Sequence, residues 1–336
     1  MATRVPRQSP HVFRHTLPLR TRVNYTDRRP MTIIAGFFAQ DGVLLAADTM
    51  HTDGTRIHRP KLSGFSLNVN TPEVCSLAFA LAGHENNAKM AIEDCVEGLE
   101  DCPPGSRSLK EVRRILRHAV KEINDKYVDS RPDSERADYK FELIIAARLP
   151  LAGGLHMFKS SGSNLLSAEP YHCAGVGAYL GDYLMRNMFS PSMRIRDATL
   201  LAIQAFGAAK TYDSNCGGDT QFLTITENGA ISDVVPYNIS TSESYIGQVE
   251  ELTRKLLFHI ANKEMDEHQF DQVLATFADQ VRIIRAFWTE KTEQYFERIL
   301  PRSNANSKGK QDPQSTKDDP SPPQPLPESR AASDES

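Results

Sequence analysis

The succession of elements read from the 336-residue sequence predicts an α+β fold. Three observations carry that reading. Strand-like runs come in blocks separated by pairs of helices, not one strand per helix, which places sheets and helices in separate layers. The first strand pair, within Met31 to Met50, is apolar on both runs without clean alternation, as expected where both faces of a sheet are buried. Asp41-Gly42 between two runs of β-formers is a strong hairpin signal.

In chain order, Thr32 to Ala39 and Val43 to Ala47 form that hairpin around Gln40-Asp41-Gly42. Lys61 to Asn70 and Val74 to Ala82 read as a second strand pair around Asn70-Thr71-Pro72, closed by Gly83. Asn86 to Leu99 is an amphipathic helix ended by Cys102-Pro103-Pro104-Gly105. A second helix runs from Ser108 to Val128, with Ser108 as N-cap and Glu111 completing a capping box. Its Val112, Ile115, Leu116, Val120 and Ile123 keep the three-four spacing of one buried face. Tyr139 to Arg148, Gly154 to Ser160 and Ser167 to Ala174 read as strands, the last meeting the turn Gly175-Val176-Gly177. Helices follow at Tyr179 to Met188 and Arg196 to Tyr212. Gln221 to Glu227 and Ala230 to Val235 form a hairpin around Asn228-Gly229. From Tyr245 to Leu300 the pattern is helical, broken near Glu264 to Glu267.

The two ends differ in composition. Residues 1–31 are basic and Pro-rich, with seven arginines against one acid, Asp27, and no apolar core of a secretory signal. A transit peptide, a cleaved pro-segment and a gene start placed upstream of Met31 are the readings; the last is preferred. Residues 302–336 are Pro, Ser, Asp, Lys and Gln with few apolar residues and read as disordered. The expected organisation is a leader at 1–31, the main domain at 32–245, a helical extension at 246–301 and the tail.

Composition excludes several classes. Hydrophobic content of 40%, charged content of 24% and net charge −4 are ordinary for a globular chain and carry no nucleic-acid or membrane-surface signal. No apolar run approaches the roughly 18 residues of a membrane span. Five cysteines without Cys-x-x-Cys spacing fit free thiols in a reducing cytoplasm. The ten histidines lack His-Glu-x-x-His spacing, and Gly175-Val176-Gly177 alone is not a dinucleotide fingerprint, so neither metal nor cofactor is expected.

Two features of the first hairpin suggest a site. Thr32 directly follows a methionine, so removal of Met31 would make it an N-terminus. Asp48 ends a buried strand, where a carboxylate without a partner costs several kcal/mol. Lys61 and Asp213 join them as candidates. Taken singly each has a plainer reading: Thr32 as a strand residue, Lys61 as a solvated cation, Asp213 as a helix end, Cys216 as a small buried filler.

Together they resemble the proteasome β-subunit family of the N-terminal-nucleophile hydrolases, in a bacterial proteasome-like form. The likeness rests on Thr32-Ile33-Ile34-Ala35, Asp41 to Thr49, Lys61, Leu81-Ala82-Gly83, Gly175-Val176-Gly177 and Ala208 to Gly218, in family order from Thr32 to Val235. The resemblance implies a four-layer αββα sandwich and a self-compartmentalising threonine endopeptidase built as a homo-oligomeric ring. It assigns Thr32 as nucleophile, its α-amine as base, Lys61 as the cation that tunes the amine and Asp48 as the partner of Lys61. Asp213 is the second carboxylate and the Gly83 N–H the oxyanion donor. Thr52 would pair substrate backbone; His51, Arg59, Ser63, Leu81, Glu85 and Lys89 would surround the first specificity subsite. Peptide or unfolded protein is the implied substrate, with an ATPase activator as a candidate partner. Three positions depart from the family: Val176 and Cys216 stand where it carries serines, and Met31 where self-cleaving relatives carry glycine. A non-catalytic shell subunit and a hydrolase of small amides are the alternatives.

Overall fold

The computed structural model describes residues 32–53, 55–68, 74–149, 151, 153–167, 170–234 and 236–299. The leader at 1–31, the Asn70-Thr71-Pro72 turn and the tail at 302–336 lie outside the described residues. Within them, the first hairpin forms as read: β1 (Ile33–Ala39) pairs antiparallel with β2 (Gly42–Asp48), with Gly36 opposite Leu45. Its turn is held from outside. Asp41 Oδ1 accepts from Ile195 N–H at 2.7 Å, and Gln40 N–H donates to Met193 O at 2.8 Å.

A polar ribbon, β3 (Met50–Asp53) and β4 (Thr55–His58), follows, then β5 (Leu62–Leu67) and β6 (Cys75–Gly83). After α1 (Glu85–Glu100), α2 (Leu109–Ile123) and α3 (Asp133–Tyr139) come β7 (Phe141–Leu149), β8 (Gly154–Ser161), β9 (Asn164–Ser167) and β10 (Tyr171–Gly175). Next are α4 (Ala178–Met188), α5 (Ile195–Tyr212), β11 (Thr220–Thr226), β12 (Ile231–Asp233), α6 (Pro236–Ile260) and α7 (Glu267–Ile299). One sheet runs β10-β1-β2-β11-β12 and the other β5-β6-β7-β8-β9, all neighbours antiparallel.

The two sheets share a core. Ile34, Val43, Leu45 and Ala47 of one meet Ala78, Ala80, Ile144, Ala146 and Met157 of the other. Small residues set the spacing. A Cβ on Gly36 would stand 2.7 Å from Met157 Sδ and 2.8 Å from Ile144 Cγ2. The odd-numbered residues of β6, Leu77, Phe79 and Leu81, face the opposite way and pack with Val112, Leu116 and Val120 of α2. This explains the continuous apolar runs: alternate residues enter two different cores. On the first sheet Ile33 meets the start of α4, where a Cβ on Gly181 would lie 3.5 Å from its Cδ1, while Ile195 of α5 packs beside Gly42. Thus α4 and α5 flank one sheet, and α1 and α2 the other.

Several expectations need correction. The helix begun at Ser108 changes to a π-helical stretch at Asn124–Asp129, where Asn124 Nδ2 is drawn to both Val120 O and Gly162 O. The capping box there is half made. Ser108 Oγ accepts from Glu111 N–H, but the Glu111 carboxylate pairs with Arg114 and the Ser108 N–H goes to Ser106 O. The strand expected from Ser167 is two strands, β9 and β10. The ribbon β3–β4 and the helix α3 were not anticipated, being polar and short. The last helical region starts earlier than Tyr245, with Pro236 at its first position.

Gly36→Val should therefore destabilise the domain by about 1–3 kcal/mol through overpacking. Gly207→Ala in α5, where a Cβ meets nothing within 4 Å, should be neutral or stabilising by up to about 1 kcal/mol. Urea unfolding of the two variants checks both signs.

Candidate active site

The open end of the β1–β2 hairpin brings Thr32 against Asp48. Thr32 Oγ1 donates a short hydrogen bond to Asp48 Oδ1, and Ile33 N–H donates to the same oxygen at 3.2 Å. Gly217 N–H, in the loop after α5, donates to Oδ2 at 3.0 Å. Lys61, just before β5, enters from the other sheet. Its Nζ lies 2.7 Å from Asp48 Oδ1 and also donates to Thr32 Oγ1 and Met50 O. An ammonium carries three protons, and these three acceptors use them all. Thr32 is 1% exposed, Asp48 0% and Lys61 3%, so the ion pair is shielded from water. Burial lowers the Lys61 ammonium below its ordinary value, and Asp48 restores part of the loss. The Lys61 backbone is held too, accepting from Leu81 N–H at 3.0 Å and donating to Gln221 Oε1 at 3.2 Å.

The turn at Gly175-Val176-Gly177 clamps the Thr32 backbone. Gly175 has φ +88°, and a Cβ there would press into the Thr32 carbonyl. Gly177 N–H donates to Thr32 O at 3.3 Å. Glu142 of β7 reaches across the sheets and accepts from Gly175 N–H at 2.9 Å. Cys216 is buried behind the turn, with its Sγ 2.6 Å from where a Gly177 Cβ would stand. Burial, then the Asp48 and Asp213 charges, push its thiol up to about 12, so it stays protonated. Asp213 ends α5, and its Oδ1 accepts from Asn215 N–H at 2.9 Å. Among the described residues no hydrogen bond joins Asp213 to Thr32. Gly83 has φ +91°, and a Cβ there would strike Lys140 O, so the residue type is required by packing alone.

Of the expected subsite residues, His51, Arg59, Glu85 and Lys89 come together. Glu85 is 7% exposed and meets Arg59 at 2.9 Å, Lys89 at 2.6 Å and His51 at 3.7 Å. Burial would raise its carboxyl, but bonds from Lys89 and Arg59 override that and hold it below its ordinary range. Leu81 belongs to the core under α1 and α2. Ser63 sits half-buried on β5 opposite Phe79. Thr52 pairs with Arg56 in the β3–β4 ribbon; its side chain lies outside the described residues. Sequence reasoning missed Glu142, Gln221, Met50 and Gly217. Glu142 had a signal, a lone charge in the apolar run Phe141 to Ala147; backbone donors and acceptors have none.

No protein-family model matches the sequence, and no curated protein matches it. Solved structures do. The fold is similar to Anbu, an ancestral β-subunit, from Yersinia bercovieri, at TM-score 0.54 and 15% identity over 65% of this chain and 94% of that one. A Gly-1 mutant of Anbu from Hyphomicrobium sp. strain MC1 gives TM-score 0.54 and 14% identity over 67% and 97%. The helical assembly of the Anbu complex from Pseudomonas aeruginosa gives 0.54 and 15% over 67% and 96%. The chain therefore shares the α+β fold of these Anbu structures.

Two tests follow from the buried pair. Asp48→Asn leaves a buried ammonium without its counter-charge and should cost about 3–5 kcal/mol, with Lys61→Met added to it recovering part of the loss. Folded Lys61 releases its proton at lower pH than unfolded Lys61, whose value is 10.5. Between those two values the unfolded chain binds more protons, so stability from this group rises with pH. The stability of wild type minus Lys61→Met, from urea unfolding between neutral pH and 10, should increase with pH.

Proposed function

We propose that the chain is a proteasome-type threonine endopeptidase, self-compartmentalising in a homo-oligomer, that acts once Thr32 is its first residue. The observation that supports this is the meeting of Thr32 Oγ1, Lys61 Nζ and Asp48 Oδ1 in one buried cluster. The two sheets with their flanking helix pairs are read as the four-layer αββα sandwich of that class. The main domain is assigned to 32–245, with the helical extension after it. Buried free thiols fit a cytoplasmic protein.

A threonine hydroxyl attacks a carbonyl only if a base takes its proton. A free Thr32 α-amine, with an ordinary pKa near 8, is that base. The Lys61 ammonium beside it favours the neutral amine, and Asp48 orients Lys61. Asp213, whose Oδ2 is left over from its bond to Asn215, supports the amine. Gly83 N–H is assigned to the oxyanion. Attack by Oγ1 forms an acyl-enzyme and the amine hands its proton to the leaving nitrogen; water then releases the acyl group. Substrate backbone is assigned to the strand edge at Thr52, with His51 and Glu85 beside the subsite and Leu81 beneath it. An unfolded protein is the substrate class, delivered by an ATPase.

A second reading, a non-catalytic shell subunit, is favoured by Val176 and Cys216, which supply no serine hydroxyl beside Thr32. Intact mass and N-terminal sequencing of the protein from its host, followed by a fluorogenic peptide panel with simple amides included, separate the readings. A chain beginning at Thr32 that cleaves peptides, with Thr32→Ala reduced to background while its assembly is unchanged, is the expected result. Full activity in Thr32→Ala would sink the proposal. Val176→Ser should raise kcat of an active enzyme and do nothing to a shell subunit.

A further inference from the structure

Helices α6 and α7 form an antiparallel pair whose first part rests on the domain and whose far part does not. Ile239 and Ser242 of α6 are buried, and the contacts Lys210–Glu243 and Gln204–Glu250 tie the helix to α5. Beyond Ser242 no described residue of α6 or α7 is buried. The α6 face that starts with Ile239 and Ser242 continues, at helical spacing, to Leu257 and Ile260, each 61% exposed. One groove between the helices is lined by Leu252, Lys255, His259, Gln272 and Gln280. Leu257 and Ile260, and Leu274 and Ala278 of α7, fall on the other side of the pair. They form an apolar patch there, and the domain covers only the beginning of that side.

On that side α7 carries a stripe with opposite charges at its two ends and a large and a small apolar residue between them, with exposed Asp271 at its edge. Glu267, Leu274, Ala278 and Arg285 are spaced seven, four and seven residues apart and lie within about 40° of one another around the helix. Glu267, Leu274 and Arg285 are exposed, and neither charged residue has an ion-pair partner among the described residues. Turned end for end about its centre, the stripe sets Glu267 against Arg285 twice and Leu274 against Ala278 twice. A leucine facing an alanine fills the contact while letting the axes approach at the close end of the usual 8–10 Å.

We propose that this side of the α6–α7 pair is a two-fold interface at which α7 packs antiparallel on α7 of a second copy of this chain, with Leu257 and Ile260 extending the apolar patch. The contact is isologous, since each half supplies what the other needs. The opposite charges at its ends select the antiparallel register over the parallel one, in which Glu267 would face Glu267. The inference does not depend on Thr32 or on catalysis.

The test is cross-linking of the full chain. All five native cysteines are buried, so an introduced one reports alone. Leu274→Cys mixed with Ala278→Cys under mild oxidation should give a disulfide between the two variants, faster than either variant gives with itself. Other interfaces in a larger assembly do not affect this readout. Absent or unselective cross-linking would overturn the proposal. A charge exchange gives an independent check by sedimentation. Glu267→Arg or Arg285→Glu alone should weaken this contact on the order of 10-fold, and the double exchange should restore it. Singles without effect, or a double no better than the singles, would also overturn it. Unchanged circular dichroism confirms that the helices persist.

Discussion

The buried ion pair of Lys61 with Asp48 is the constraint on which the rest depends. Taking two charges out of water costs several kcal/mol each, and attraction offsets that cost only when every remaining donor and acceptor is placed. Here the placement draws on both sheets. Asp48 comes from the end of β2, Lys61 from the residue just before β5, and Met50 O from the segment between them. The loop after α5 adds Gly217 N–H, and the start of β1 adds the Thr32 hydroxyl. Any relative slide of the sheets would strand a charge, so the pair sets their register as much as the sheets set the pair.

The sheets can meet this demand because their shared core is built from small residues. Ala78, Ala80 and Ala146 on one side and Gly36 on the other leave room for Met157 and Ile144. Larger residues on the same strands, Phe79 and Leu77 among them, turn to the helices instead. The glycines near Thr32 follow a related logic. Gly175 admits the Thr32 carbonyl, and Gly177 admits Cys216 while donating to that carbonyl. Glu142 anchors the turn from the opposite sheet. Thr32 is thus held by its backbone as well as by its side chain.

Much of this was legible in the sequence. The β1–β2 hairpin, the α1 and α2 region and the Asn228-Gly229 turn announce themselves through turn chemistry and apolar period. Thr32 and the strand-end Asp48 also stood out, because a hydroxyl after Met31 and a carboxylate in an apolar run need explaining. The ribbon β3–β4 was not legible, since its residues are polar and its support is a buried Thr49 bonded to His58 and Asp219. Nor was the π-helical end of the second helix, which depends on Asn124 reaching a loop 38 residues away.

What the sequence determined by itself is the set of elements and the candidate chemistry, because period, turn residues and isolated polar groups are local properties. The tertiary structure alone decided which candidates meet. It joined Thr32, Asp48 and Lys61, gathered His51, Arg59, Lys89 and Glu85, and left Asp213 bonded to its own loop and Leu81 inside the core. The reason is that a side chain's partners depend on which face of its strand it occupies and on the crossing of two sheets. Those are properties of packing over long separations, and no local pattern carries them.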